Sequence, residues 1–284
     1  MALTSIKDAL RNAHAGGYAV ALFDTFDMHA TEGMLQAFEE KRAPALIGIY
    51  GGFFEQANAR SHAAYIRERA AMATVPVSLM LDHGASFEQC MKAISYGFTD
   101  VMYDGSRLPL DENIAQAAAV VRAAHAMGVC VEAELGHVGS GAEYQAYGAQ
   151  RKGFTDPDAV ARFVAETDVD CLAVAIGTAH GVYQGDPHID LDLLRAIRAR
   201  VDIPLVMHGG SGLSEEQFRS AIQAGIAKVN VATELFITAA SRMREAARDA
   251  DVSYFDLARL AVTTFRERCG YYLDLFGASG RIVY

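Results

Sequence analysis

Short apolar runs and longer helical segments alternate along the chain. The apolar runs have β-type composition and cover 18–24, 45–51, 75–82, 100–104, 129–136, 171–177, 203–210 and 228–233. Segments with the apolar period of an amphipathic helix lie between them, for example 32–42, 86–97, 113–128, 158–167 and 214–225. Because the strands are continuously apolar, they predict a parallel sheet with helices on its faces.

Eight such units predict a closed (β/α)8 TIM barrel of the α/β class. We expect one domain, 1–284, with additional C-terminal helices at 234–248 and 254–276. Six polar residues stand at or just beyond predicted strand ends: Asp24, Asp82, Asp104, Glu134, His208 and Asn230. A barrel of this type builds its active site there, whereas an open doubly wound sheet would gather such residues at one crevice.

Capping residues and loop lengths refine this prediction. Thr4 is predicted to cap an opening helix that ends at Gly16 and Gly17, and Ser214 with Gln217 predicts a capping box. Two long glycine-rich connections, 136–158 and 181–190, follow the fifth and sixth strands on the active-site side. Their length and position predict mobile lids.

Composition excludes several classes of ligand and location. The 35 acidic and 25 basic residues give a net charge of −10, which disfavours binding to nucleic acid or to an anionic membrane. The four cysteines show no CxxC pair and no disulfide framework, so we expect a reducing, cytoplasmic location. We also expect no signal peptide and no membrane span.

Three histidines lie at or just after predicted strand ends: His83 in LDHG, His180 in IGTAHG and His208 in MHGGSG. Three imidazoles with an open fourth position are typical of a catalytic rather than a structural zinc site. A single such histidine is more often a hydrogen-bonded residue at the edge of the core. The three together favour a metal.

Three carboxylates accompany these histidines: Asp82, Asp104 and Glu134. A carboxylate beside a metal-polarised carbonyl can move a proton. For Asp104 the alternative is a turn in YDGS in which the aspartate caps the next segment. Adjacent residues on a regular strand face opposite sides, so Asp82 and His83 can share a site only if the strand already turns at Gly84.

Two short motifs are candidates for phosphate binding. HGGSG follows the seventh strand, NVATE follows the eighth, and each precedes a helix. Backbone N–H groups at helix N-termini, with the Ser211 and Thr233 hydroxyls, suit a phosphate, and these two loops are the usual phosphate site of TIM barrels. Glycine-rich turns alone more often serve tight backbone geometry.

Several ordered motifs together resemble the class II, zinc-dependent ketose-bisphosphate aldolases, closest to the tagatose- and fructose-bisphosphate aldolase branch. The motifs are LDHG, DVMYDGS, VEAELG, LAVAIGTAHGVY, HGGSGL, KVNVATEL and FGASGRI. The resemblance implies reversible cleavage of a phosphorylated ketose to dihydroxyacetone phosphate and an aldehyde. It also implies one Zn²⁺, a Na⁺ or K⁺ beside the phosphate, and a homodimer or homotetramer.

The resemblance also assigns residues by motif. It implies that His83, His180 and His208 bind zinc and that Asp82 is the acid/base at the C4 hydroxyl. It implies that Asp104 and Glu134 either support the metal ligands without binding the metal or are alternative metal ligands. The implied dihydroxyacetone phosphate site contains Gly181, Gly209, Gly210, Ser211, Asn230, Val231, Ala232 and Thr233.

The chain departs from this family at three places. Asp24 and Asp27 in FDTFD replace amides, which changes charge in the substrate pocket. Relatives carry a lid glutamate for proton transfer at C3, and here Ala142 takes that position with Glu143 one residue later. Asp274 lies where relatives bind a second phosphate with basic residues. We therefore expect the distal end of the substrate not to be a phosphate.

Two other functions compete with an aldolase. A metal-dependent TIM-barrel hydrolase would use metal-activated water, but the first strand carries no HxH pair and the phosphate loops would have no role. A non-catalytic barrel supporting a partner aldolase should have lost Asp82 or a zinc histidine, and this chain keeps them. Tyr271, Tyr272 and Phe276 either form a dimer surface or pack on the barrel.

Overall fold

The computed structural model describes residues 3–56, 58–143 and 150–282. The strands are β1 Val20–Asp24, β2 Ala45–Tyr50, β3 Val77–Gly84, β4 Asp100–Tyr103, β5 Cys130–Leu135, β6 Cys171–Val174, β7 Leu205–Met207 and β8 Ile226–Val231. The helices are α1 Lys7–Gly16, α2 Met28–Lys41, α3 Gly51–Phe54, α4 Ala59–Met72, α5 Phe87–Ser95, α6 Leu110–His125, α7 Pro157–Thr167, α8 Leu191–Arg198, α9 Glu215–Gln223, α10 Thr233–Ala246 and α11 Tyr254–Leu275. A short 3₁₀ helix covers Gly141–Glu143.

The eight strands pair in sequence order and in parallel, and β8 closes on β1 with Val20 opposite Lys228. The predicted (β/α)8 TIM barrel is confirmed. All eight apolar runs contain a strand, because a strand covered by helices outside and packed side chains inside is apolar on both faces. No helix in the described part of the chain is both long and apolar enough to cross a bilayer.

Two layers of apolar side chains hold the barrel. The larger layer fills the space between strands and helices, and the smaller fills the barrel interior with residues such as Leu22, Leu46 and Met102. Ile6 and Leu10 pack into the interior layer, so α1 covers the end of the barrel where the strands begin. The opposite end remains available for a site.

The predicted Thr4 cap is wrong, because α1 begins at Lys7 and no side chain of the preceding residue caps it. The Thr4 backbone N–H instead donates to the Val77 carbonyl. Asp100 of β4 accepts the Ile6 backbone N–H at 3.0 Å, so a carboxylate distant in sequence satisfies the helix end. The Ser214–Gln217 capping box at α9 is present as predicted.

The two C-terminal helices lie close to their predicted limits, and α11 packs against α2 and α10. This contact needs a glycine, because a Cβ on Gly33 would lie 2.4 Å from the Val262 carbonyl oxygen. Tyr272 and Phe276 are buried and contact the Phe218 ring. Tyr272 and Phe276 therefore pack on the barrel and do not form a dimer surface.

Candidate active site

Three histidine rings meet at the carboxyl end of the barrel. His83 is the penultimate residue of β3, His180 lies on the loop after β6, and His208 directly follows β7. The Nε2 atom of His83 is 3.1 Å from Nε2 of His180 and 2.9 Å from Nδ1 of His208. The structure thus brings the three predicted metal ligands together.

This donor set fits a divalent metal. Two nitrogens bound to a tetrahedral zinc at 2.0–2.1 Å lie roughly 3.3 Å apart, close to the spacings among these rings. The second ring nitrogens of His83 and His208 contact carboxylates. His83 Nδ1 is 2.8 Å from Asp104, and His208 Nε2 is 2.7 Å from Glu132. His180 contacts the Val138 backbone. Such partners fix ring orientation in metal sites.

Charge is unevenly distributed among the rings. Burial alone would lower the pKa of His83, but Asp82, Asp104 and Glu134 raise it to about 10. Burial and the positive charge on His83 lower the pKa of His180 well below its ordinary value. Burial also lowers the pKa of His208. Two rings are therefore held neutral, the form that binds a metal.

Asp82 and His83 can share one site, because β3 turns where the sequence analysis requires it. His83 has a φ of 53°, in the left-handed region, and the β3–β4 register shifts between Leu81 and Gly84. The strand therefore leaves its regular pleat at His83, and both side chains border the same cavity. Asp82 is held in place by Asn230, whose Nδ2 donates to Oδ1 at 2.9 Å.

Asp104 satisfies both interpretations offered by its motif. Its Oδ1 accepts the Ser106 backbone N–H at 3.1 Å, which makes the turn, and its Oδ2 contacts His83. Burial would raise the pKa of Asp104, but the contacts with His83 and Ser106 hold it below its usual range. The turn thus presents an ionised carboxylate to the histidine.

Glu134 lies behind the same histidine. Its Oε1 accepts the Val138 N–H at 3.0 Å, and its Oε2 has no hydrogen-bond partner among the described residues. Burial, with the charge of Asp104, raises the pKa of Glu134 to about 8. His83, Asp104 and Glu134 form a second group whose ligand atoms are close enough to hold a metal.

Two adjacent cavities open around the histidines. The smaller, of about 40 Å³, is lined by Asp24, Asp82, His180, Gly181, His208, Gly209, Gly210, Ser211, Asn230, Ala232 and Thr233. It lies against the N-terminus of α10, where the Ser211 hydroxyl accepts the Glu234 N–H at 3.1 Å. Val231 lines neither cavity, because its side chain points into the layer between barrel and helices.

The larger cavity has a volume of about 730 Å³. Tyr50, Phe53 and Phe236 border it, as do Asp82, Asp104 and Arg107. It shares Asp24, Asp82, His180, Ala232 and Thr233 with the smaller one. The histidines and Asp82 therefore stand between a small backbone-lined recess and a larger chamber.

Comparison with known protein families matches residues 4–281 to the family described as fructose-bisphosphate aldolase class-II. The chain belongs to this family. It is 41% identical over 251 residues to a probable fructose-bisphosphate aldolase of Bacillus subtilis (strain 168), covering 86% of each chain. It is 41% identical over 240 residues to a 6-phospho-5-dehydro-2-deoxy-D-gluconate aldolase of Halalkalibacterium halodurans, covering 82% of this chain and 81% of that protein.

A solved structure shows the same architecture. The YdjI aldolase of Escherichia coli K12 superposes with a TM-score of 0.89 at 33% identity, covering 99% of this chain and 100% of that one. The predicted resemblance and the class II aldolase assignment are confirmed, and this family is generally metal-dependent. The family also implies a phosphorylated sugar as substrate.

Two residues that the sequence analysis missed lie directly behind His208 in this aldolase. Glu132 of β5 and Lys228 of β8 are fully buried, and Lys228 Nζ lies 2.8 Å from Glu132 Oε2. Glu132 Oε1 contacts His208. The sequence pattern could have indicated both residues. Glu132 stands two residues before Glu134, and Lys228 stands two residues before Asn230, so each faces the same side of its strand as the site residue.

The departures from the family resemblance have different outcomes. Asp24 lines both cavities and is buried, and burial together with Asp82 raises its pKa well above the ordinary value. Asp27 instead caps α2, with its Oδ1 accepting the His29 and Ala30 backbone N–H groups. Asp27 therefore has a structural explanation.

Asp274 and Glu143 have different outcomes. Asp274 pairs with Lys41 and accepts the Ser279 hydroxyl, and it lines neither cavity, so its charge is no argument against a distal phosphate. Glu143 ends the short 3₁₀ helix, and its side chain lies outside what the structure describes. Its predicted catalytic role stays a prediction.

Proposed function

We propose that this chain is a zinc-dependent aldolase that reversibly cleaves a phosphorylated ketose into dihydroxyacetone phosphate and an aldehyde. The observation that carries this proposal is the position of Asp82 beside three convergent imidazoles, at the junction of a small and a large cavity. The family membership supports the reaction class.

His83, His180 and His208 would hold the zinc, because three imidazole nitrogens with an open fourth position suit this ion. The bound metal would polarise the ketone carbonyl at C2 of the substrate. Asp104 orients His83 through its Nδ1 atom. With Glu134 it also offers an alternative metal position on the same histidine.

The small cavity would hold the dihydroxyacetone phosphate half. Its glycines, Gly181, Gly209 and Gly210, leave the backbone accessible, and Thr233 begins α10 at its edge. Backbone N–H groups at a helix N-terminus favour a phosphate. Val231 would contribute through its backbone alone, and a Na⁺ or K⁺ beside the phosphate completes the proposal.

Asp82 would move the proton that the reaction requires. In the cleavage direction its carboxylate accepts the proton of the C4 hydroxyl, the C3–C4 bond breaks, and C4 becomes the aldehyde carbon. The electron pair of that bond passes to the dihydroxyacetone phosphate half, which then takes a proton at C3. Asn230 holds Asp82 in place, and Glu143 is our candidate donor at C3.

The aldehyde half would occupy the large cavity, and we propose that its distal end is not a phosphate. Asp24, Asp82 and Asp104 all line this cavity. A dianion entering beside carboxylates loses binding energy. Relatives of this chain are named for fructose bisphosphate and for a 6-phospho-5-dehydro-2-deoxy-D-gluconate, and these two different names support a distal end other than a phosphate.

The test is release of dihydroxyacetone phosphate from a panel of ketose 1-phosphates and 1,6-bisphosphates. Each substrate is run with and without a chelator, and zinc is then added back. We expect release that the chelator abolishes and zinc restores. Failure of zinc-loaded protein to release dihydroxyacetone phosphate from any substrate would overturn the proposal.

We further propose that 1–284 folds as one domain and assembles as a homodimer or homotetramer in the cytoplasm. The four free, buried cysteines support a reducing compartment. Tyr254 and Phe255, at the start of α11, are about 70% exposed and support a subunit contact. Light scattering of the purified protein would measure the assembly directly.

A further inference from the structure

The loop between β4 and α6 carries an arginine into the large cavity. Arg107 borders this cavity but not the small recess, and it is the one lysine or arginine among the described residues that lines either. The residues shared by both cavities include His180 and Asp82. Arg107 therefore belongs to the chamber on the far side of the histidines from the proposed phosphate site.

The backbone that carries Arg107 is fixed on both sides. The Leu108 N–H donates to the Gly105 carbonyl at 2.9 Å, which closes a tight turn around Arg107. Ser106 joins the turn to the site, because its backbone N–H donates to Asp104. The Ser106 hydroxyl lies 3.1 Å from His137 Nδ1. The turn therefore fixes the point at which the Arg107 side chain leaves the backbone at the wall of the cavity.

The guanidinium itself has no partner in the described part of the chain. Arg107 is exposed and makes no hydrogen bond or ion pair there, although Asp24, Asp82 and Asp104 line the same cavity. Elsewhere on this protein arginines pair readily, as Arg69 does with Glu32. An arginine held at a cavity wall with its five donors free is suited to bind an anion.

We propose that Arg107 determines substrate specificity by pairing with a carboxylate at the distal end of the aldehyde half. This inference rests on the proposed aldolase function. A carboxylate matches one guanidinium in charge and in its two-pronged geometry. A phosphate dianion would keep an excess negative charge beside Asp82 and Asp104, which line the same cavity. The substrate class is therefore a ketose 1-phosphate that ends in a carboxylic acid.

The experiment compares three ketose 1-phosphates that differ only at the terminal carbon: a carboxylate, a hydroxymethyl group and a phosphate. Zinc-loaded wild type, Arg107→Gln, Arg107→Lys and the control Arg122→Gln are assayed for kcat/KM on each. Arg122 is an exposed arginine of α6 that lines neither cavity, so its replacement makes the same charge change elsewhere.

We expect wild type to prefer the carboxylate, and Arg107→Gln to lower kcat/KM on that substrate by about 10- to 100-fold, mostly through KM. Arg107→Lys should recover part of this loss. On the hydroxymethyl substrate Arg107→Gln should stay within about twofold of wild type, as should Arg122→Gln on all three.

Three results would overturn the inference: a wild-type preference for the phosphate or hydroxymethyl end, equal loss on all substrates in Arg107→Gln, or no loss at all. In each of these the chain still releases dihydroxyacetone phosphate, so the proposed function survives. Absence of release from every substrate removes the proposed function, and the role of Arg107 falls with it.

Discussion

Replacing Lys228 with methionine tests the buried charges behind the metal site. Lys228 and Glu132 are fully buried, and the same carboxylate contacts His208. Burial alone would raise the pKa of Glu132, but Lys228 and His208 lower it to about 2. In Lys228→Met the carboxylate loses its main counter-charge and remains out of water.

Breaking a buried ion pair by removing one partner costs about 3–5 kcal/mol, because it leaves an uncompensated charge. The sign of the pH dependence follows from the pKa. In wild type the contribution of Glu132 to stability is present above the ordinary carboxylate pKa and lost as pH falls towards about 2. In the variant burial raises the pKa of Glu132, so the stability difference should shrink as the pH falls from 7 towards 4.

The assay is urea unfolding of metal-free protein at pH 7 and pH 4, with zinc affinity measured separately. Zinc affinity should fall about 10- to 100-fold, because Glu132 would no longer hold His208 in the same way. Lys92→Met is the matched control, since Lys92 pairs with Glu55 on the surface and both are substantially exposed. That change should cost less than about 1 kcal/mol.

The double variant Glu132→Gln/Lys228→Met completes the cycle. A neutral amide removes the isolated charge, so this variant should be more stable than Lys228→Met alone. A cost for Lys228→Met no greater than that for Lys92→Met, or no recovery on adding Glu132→Gln, would contradict the role assigned to the buried pair.

Three further predictions address single residues. Asp82→Asn should reduce cleavage by about 10²- to 10⁴-fold with zinc content unchanged, measured by product release and metal analysis; unchanged cleavage would remove Asp82 from proton transfer. Asp24→Asn should be more stable than wild type at pH 8 but not at pH 4 in urea unfolding. The raised pKa of Asp24 makes the wild-type protein lose stability as the pH rises above about 4. An equal difference in stability between variant and wild type at the two pH values would contradict this. Ser214→Ala should cost about 1 kcal/mol in the same assay, because it removes the hydroxyl that accepts the Gln217 N–H, and a cost near zero would contradict that cap.

The periodic parts of this fold could be predicted from sequence. Strand position follows from runs of apolar residues, and the carboxyl ends of parallel strands in a closed barrel meet at one place. His83, His180 and His208 could therefore be grouped from the sequence alone. The motif positions also placed Asp82 and Asn230, whose contact the structure provides.

The remaining features depend on contacts between distant parts of the chain. Asp100 replaces the local cap expected at Thr4, and this requires β4 to lie beneath α1. The Glu132–Lys228 pair joins β5 to β8 across the barrel interior. Sequence periodicity places each residue on a face, but it does not say which charges on facing strands will meet. Asp274 shows the same limit, because Lys41 engages it away from both cavities.

The three histidines come from β3, the β6–α8 loop and the end of β7, and His83 is separated from the others by 97 and 125 positions. A metal held by all three closes two long chain loops at once, and the unfolded chain has no comparable site. Binding therefore adds to the free energy of unfolding by mass action, about 4.1 kcal/mol when free metal is 1,000 times its Kd. The ion proposed for chemistry would thus also stabilise the folded barrel, and removing it would lower the free energy of unfolding by the same amount.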